Sequence, residues 1–195
     1  MNENIQFFQA FLKNPLAVGA VTPSSPELAL KMIENIIPNE NNIVLELGVG
    51  TGSFTKALRL IVHNEKSYLG LEINRAFVRA LRRELPDMKI IGGNAAKAVS
   101  LHCKSNLGKV GYIISGIPFV TLPNETGDEI LEEISRFMDA GNCIFRTFQY
   151  AHGYYFPSAI KLRDFMKSRY GKAEKSPLIF KNVPPAYTLT WKTVQ

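Results

Sequence analysis

The sequence predicts an α/β fold, a mostly parallel sheet with helices on both faces, and two observations carry that prediction. Along residues 43–170, short runs rich in Val, Ile and Leu alternate with longer stretches of helical periodicity, as in successive βα units. One of these runs empties into three glycines at alternating positions, Gly48, Gly50 and Gly52, with a helical stretch directly behind them. In an open parallel sheet, ligands bind at that place beyond a strand's carboxyl end. The chain has 195 residues, 46% hydrophobic and 21% charged, the profile of one globular domain that buries a sizeable core.

The elements follow in order. In residues 2–13, Ile5, Phe8 and Leu12 recur at helical spacing, with Phe7 and Phe11 widening the stripe, and Asn14-Pro15 ends it. Thr22-Pro23-Ser24-Ser25-Pro26 forms a turn that caps a second helix, with Pro26 and Glu27 suited to its first turn. That helix is expected to run through Met32 and Ile36 until Pro38. Strands are predicted at Ile43–Leu47, Ser67–Leu71, Lys89–Ile91, Gly111–Ser115 and Asn142–Phe148. Helices follow them at about 53–62, 75–85, 95–102, 124–138 and 157–170. The last apolar runs, 177–180 and 186–191, are close enough to pair as an antiparallel hairpin, for seven strands in all. Residues 1–38 are expected to form an N-terminal helical cap on a core of residues 39–195, within a single domain.

Composition removes several classes of function. Cys103 and Cys143 make no disulfide framework, and neither sits in a paired ligand motif. His63, His102 and His152 are too scattered for a histidine-based metal site, so no metal is expected. No apolar run reaches the ~18 residues of a membrane span. The opening Met1-Asn2-Glu3-Asn4 has no basic stretch, which gives the expectation of a cytoplasmic protein without a secretory signal. The net charge is +6 and unevenly placed: residues 151–195 carry eight basic and two acidic side chains. A basic end suggests an anionic partner, nucleic acid or membrane surface, or else an ordinary solvated face.

The glycine loop reads Glu46-Leu47-Gly48-Val49-Gly50-Thr51-Gly52. A dinucleotide loop, G-x-G-x-x-G/A, would place its third small residue at Ser53, and a diphosphate gains little from Glu46. A ligand carrying an ammonium and a sulfonium gains more. Glu72 ends the second strand, where an acidic side chain can accept ribose hydroxyls, and Gly92-Gly93-Asn94-Ala95 follows the third. Together these resemble motif I and its supporting positions in the class I S-adenosylmethionine (SAM)-dependent methyltransferases, a Rossmann-like fold. The resemblance implies SAM as cofactor. Glu46, Gly48, Gly50 and Gly52 would hold the methionine part, Glu72 the ribose, and Asn94 with Ala95 the adenine, with Thr51 and Ile73 also in the cofactor site.

The fourth strand ends in Ser115-Gly116-Ile117-Pro118-Phe119. A turn stiffened by Pro118 can aim backbone carbonyls and the Ser115 hydroxyl at an acceptor amine, with Phe119 over the nitrogen. The segment distantly resembles the polar–x–Pro–aromatic turn of the ribosomal-RNA adenine dimethylases. It is more similar to the Ser-Gly-Leu/Ile-Pro of the soluble bacterial phospholipid N-methyltransferases. Further stretches similar to that family are Phe11–Pro15 with Val18–Ser25, Phe148-Gln149-Tyr150, and Lys181-Asn182-Val183-Pro184-Pro185-Ala186.

This resemblance implies methyl transfer from SAM to the head-group amine of a membrane phospholipid of the phosphatidylethanolamine type. Ser115 to Phe119 would form the catalytic turn, and Gly19, Thr22 and Ser24 would close the cofactor site. Tyr150, His152, Tyr154 and Tyr155 would line the acceptor end. Helix 2–13 would visit an anionic membrane surface, as a peripheral anchor or as a lid over the cofactor. An RNA adenine N6-methyltransferase, or a non-catalytic SAM-binding protein, stays open as the alternative.

Overall fold

A computed structural model describes residues 23–193. The expected helix at 2–13 and the positions Gly19 and Thr22 lie outside the described residues.

Seven strands form one sheet in the order β3-β2-β1-β4-β5-β7-β6. They are β1 (Asn42–Leu47), β2 (Tyr68–Glu72), β3 (Ile90–Gly92), β4 (Lys109–Ser115), β5 (Ile144–Tyr150), β6 (Glu174–Lys175) and β7 (Ala186–Lys192). The first five are parallel, with Leu45 level with Leu69 on one side and with Ile113 on the other. Among the described residues six α-helices accompany them: α1 (Pro26–Ile33), α2 (Ser53–Leu58), α3 (Arg75–Glu84), α4 (Ala98–Cys103), α5 (Asn124–Asp139) and α6 (Pro157–Tyr170).

Because successive strand residues face opposite sides, the core divides in two. Leu45, Leu47, Ile113 and Phe145 pack against Ala98, Ile134, Leu162 and Met166 of α4, α5 and α6. On the other face, Val44, Tyr68 and Ile114 meet Met32, Leu58 and Leu81 of α1, α2 and α3. The parallel order reverses between β1 and β4, so their carboxyl ends open a crevice there.

Beyond shifts of one to three residues, three boundaries differ from expectation. Helix α1 stops at Ile33: Glu34 leaves the helix at ψ 131° and Asn35 has φ +60°. The terminus is held by Arg146 on β5, whose Nη1 donates to the carbonyls of Met32 (3.0 Å) and Glu34 (2.8 Å) and, at 3.3 Å, of Lys31. Helix α2 ends at Leu58, and the chain then continues in turns with Leu60 N–H bonded to Ala57 O. The C-terminal antiparallel partner is Glu174–Lys175, paired to Thr190 and Leu189, whereas the 177–180 run contributes a single bridge, Ile179 to Ala186. Proline at 177 and the prolines at 184 and 185 limit pairing there.

Candidate functional site

The glycine loop fills the β1 side of the crevice. Gly48, Gly50 and Gly52 all have positive φ, at +74°, +58° and +85°, which side chains rarely adopt. Space constrains the outer two as well: a Cβ at Gly48 would lie 2.7 Å from Ile117 Cγ1, and one at Gly52 2.6 Å from Leu81 Cδ2. Gly50 differs, because a Cβ there would meet nothing within 4 Å. Its backbone faces open space, as a cradle for a ligand must.

The two acidic residues of the motif are both buried but face different partners. Glu46 is fully buried behind the loop, where Oε2 accepts from the Thr55 hydroxyl at 2.9 Å and from the Tyr68 hydroxyl. Its Oε1 has no hydrogen-bond partner among the described residues. Burial pushes its carboxyl up to about 7, against the lowering effect of those two hydroxyls. Glu72 closes β2 with one oxygen accepting Gly50 N–H (2.8 Å) and the other Asn74 N–H (2.7 Å). Burial raises its pKa too, opposed by the N–H groups of Asn74, Gly50 and Ile73. Glu72 therefore fastens the middle of the glycine loop to the second strand. Asn94 is exposed after β3, its Oδ1 accepting Ala96 N–H at 3.0 Å, and Ala95 beside it is buried. Thr51 and Ile73 are exposed at the same end of the sheet.

The Ser115–Phe119 turn lies directly against this loop. Gly116 N–H donates to Leu47 O at 2.9 Å, and a Cβ on Gly116 would stand 2.7 Å from Gly48 O. Two expected roles change. The Ser115 side chain is buried and its hydroxyl accepts Ile117 N–H at 3.2 Å, so it shapes the turn from inside instead of reaching outward. Phe119 is 8% exposed and joins the core on the α5–α6 face, lining a small cavity with Leu122, Leu131 and Leu162. A phenyl ring gains more from that apolar burial than from an open crevice. What the turn offers an acceptor is main chain: no described residue donates to the Gly116 carbonyl.

The aromatic set that begins at the last residue of β5 divides between the two faces of the sheet. Tyr150 belongs to the core of the α1–α3 face and stacks on His152, ring centroids 5.6 Å apart and planes 13° from parallel. Tyr154 packs on the other face, against Tyr187, with the Arg163 guanidinium 3.9 Å above its ring. Tyr155 is exposed beside it. Of the four, only Tyr150 and His152 share a surface on the α1–α3 side.

Sequence reading did not anticipate the part played by Asn182. Its side chain is buried, accepting Ser25 N–H at 2.8 Å and donating to Pro184 O at 2.6 Å. It thus ties the Pro23–Pro26 entry of α1, with half-buried Ser24, to the loop before β7. Two stretches 157 residues apart, each singled out for the same family resemblance, meet at one hydrogen bond. Gln149 is similar: Oε1 accepts from Arg163 at 2.6 Å and Nε2 donates to Ala159 O, fixing α6 to the end of β5.

No protein-family model matches the chain. An ornithine lipid N-methyltransferase of Singulisphaera acidiphila is 25% identical over 141 residues, 71% of this chain and 73% of that protein. A SAM-dependent methyltransferase structure from Anabaena variabilis superposes with TM-score 0.63 at 13% identity, covering 99% of this chain and 96% of that one. A TehB-like SAM-dependent methyltransferase from Corynebacterium glutamicum gives 0.59 at 12% identity over 97% of both chains. Aeropyrum pernix fibrillarin, solved with natively bound SAM, gives 0.56 at 14% identity over 85% of this chain and 74% of its own. The strand order, the glycine loop at the β1–β4 crevice and these superpositions agree: the chain has the fold of the class I SAM-dependent methyltransferases.

Proposed function

We propose that this protein is a SAM-dependent N-methyltransferase acting on the amine of a membrane lipid head group, of the ornithine lipid or phosphatidylethanolamine kind. The observation that supports this best is the packing of Ser115-Gly116-Ile117-Pro118 onto the glycine loop, where no described residue donates to the Gly116 carbonyl. The lipid-methylating relative supports the same acceptor class.

The residues fit the cofactor. Gly50 leaves open space over its backbone, Glu72 holds that backbone at the end of β2, where the ribose would lie, and Asn94 and Ala95 stand after β3 for the adenine. SAM supplies a methyl group activated by its sulfonium. The protein's own contribution is placement: a rigid Pro118 turn holds the Gly116 carbonyl where an amine N–H can donate to it, which directs the nitrogen lone pair across the crevice. Glu46 acts from behind the loop, holding Thr55 of α2 and Tyr68 of β2 together, so its role is positioning. On this reading the protein works at the membrane without crossing it; no helix of the described residues is long and apolar enough to span a bilayer.

The test is incubation with methyl-labelled SAM and vesicles carrying ornithine lipid or phosphatidylethanolamine. Label extracted with the lipid, in mono-, di- or trimethylated head groups by mass spectrometry, is the expected result. Absence of lipid-soluble label with both lipids overturns the proposal, and label in RNA under the same conditions replaces it with nucleic-acid methylation.

A further inference from the structure

Large apolar side chains are exposed at nine positions among the described residues, and six of them cluster by place in the fold: Ile73, Tyr155, Phe156, Ile160, Phe180 and Val183. Ile73 follows β2, Tyr155 and Phe156 lie in the loop after β5, Ile160 is in the first turn of α6, and the last two precede β7. All six belong to the carboxyl end of the parallel strands, where the crevice opens. The other three, Leu30, Ile37 and Leu60, are scattered on or after α1 and α2, as single exposed apolar residues commonly are.

The two loops on the acceptor side are built as one rim. Ala151 N–H donates to Pro185 O at 2.8 Å, and Tyr150 pairs with Ala186, so the loop after β5 and the loop before β7 are fastened at their bases. Phe156 contacts His152 edge to face, and His152 stacks on Tyr150. From this base Tyr155 stands 78% exposed, Phe180 74% and Val183 69%. Aromatic and aliphatic side chains displayed on anchored loops match the chemistry of a bilayer interface, where aromatic rings sit at head-group level and aliphatic ones reach the acyl boundary.

We propose that Tyr155, Phe156, Phe180 and Val183 form a docking rim that seats this end of the protein on a lipid bilayer. The proposal rests on the lipid N-methyltransferase reading and adds how the substrate is met. A two-chain lipid does not leave its bilayer readily, so an enzyme that modifies its head group must bring the crevice to the membrane. The rim does this with the acceptor turn directly behind it.

Full-length protein is mixed with vesicles of phosphatidylcholine and phosphatidylethanolamine and sedimented. The wild type is expected to co-sediment. A Phe156→Ser, Phe180→Ser, Val183→Ser variant is expected to lose vesicle affinity about tenfold or more. Its melting temperature should hold, and it should retain methyl transfer to a monomeric short-chain aminolipid. A Leu30→Ser, Ile37→Ser, Leu60→Ser control is expected to bind like the wild type. Equal binding by the rim variant, equal loss in the control, or no sedimentation of the wild type overturns the rim. Hydrogen exchange at Tyr155 and residues 180–183 should slow when vesicles are added; exchange that vesicles leave unchanged also overturns the rim. Sedimentation and transfer to monomeric lipid are separate readouts. A protein that binds vesicles through the rim but methylates neither lipid form refutes the catalytic reading alone.

Discussion

Glu46 and Glu72 show how two buried carboxylates take different work from different partners: side-chain hydroxyls for Glu46, backbone N–H groups of the loops for Glu72. Glu46, shut behind the loop, is more easily protonated in the folded protein than in the unfolded chain: about 7 against an ordinary 4.5. The folded state therefore binds more protons between those values, and stability conferred by this group falls as pH rises from about 4.5 to about 7. Denaturant unfolding of the wild type and Glu46→Gln across that window should show the extra downward slope in the wild type only. Parallel curves would mean that Glu46 is ionised throughout. The glycines separate in the same way. Gly48→Ala meets both positive φ and Ile117, and should cost about 2–4 kcal/mol of stability. Gly50→Ala has only the φ strain, about 1–2 kcal/mol, so its main loss should be cofactor affinity, tenfold or more by calorimetry. A Gly50→Ala protein that binds SAM normally would remove the loop from the cofactor site.

At the scale of elements, the parallel core was legible because its signals are local. Alternating apolar runs and helical periods marked β1 to β5 and their helices, and Gly48, Gly50 and Gly52 marked the crevice. The boundaries that differed depend on partners far along the chain. Nothing near Ile33 reveals that α1 ends where Arg146, more than a hundred residues away, takes its carbonyls. Nor does the 177–180 run reveal that β7 prefers Glu174 and Lys175 as neighbours. At the site, the positions of the glycines, Glu72 and the Ser-Gly-Ile-Pro turn could be read. The inward aim of Ser115 and Phe119 could not, since side-chain direction at a turn is set by what packs behind it. Arg146 is a buried cation, its pKa lowered by burial, and its bonds satisfy the end of α1. Arg146→Met should cost about 3 kcal/mol through the carbonyls it leaves unpaired, read from urea unfolding. Asn182→Ala should cost less, about 1–2 kcal/mol, as one buried amide pair is lost. Near-wild-type stability for Arg146→Met would show that water replaces the guanidinium.

The whole molecule revises the meaning of its charge. The basic excess in residues 151–195 is largely engaged: Lys161, Arg169, Lys181 and Lys192 face carboxylates, and Arg163 and Lys175 lie over tyrosine rings. Among the described residues, Arg75, Arg79 and Arg83 on α3 form no ion pair, although their i, i+4 spacing makes them repel one another. The displayed positive charge is thus shared between α3 and the C-terminal quarter, where Lys167 and Lys172 form no ion pair with a described residue either. Scaffold and cleft can also be separated by linkage. A ligand that binds only the folded state at a hundredfold excess over its Kd adds about 2.7 kcal/mol of stability. For a chain of this size that is roughly 5–10 °C in Tm. SAM should raise the wild-type Tm by that amount. Arg146→Met, whose defect lies in the support of α1, should melt lower yet gain the same increment, because a stability loss remote from the ligand adds independently. Gly50→Ala should show the reverse pattern: a small loss without ligand and little gain when SAM is added at the same concentration. If Arg146→Met lost the increment as well, the end of α1 and the glycine loop would be coupled, and the crevice would depend on the helix that Arg146 and Asn182 hold at its two ends.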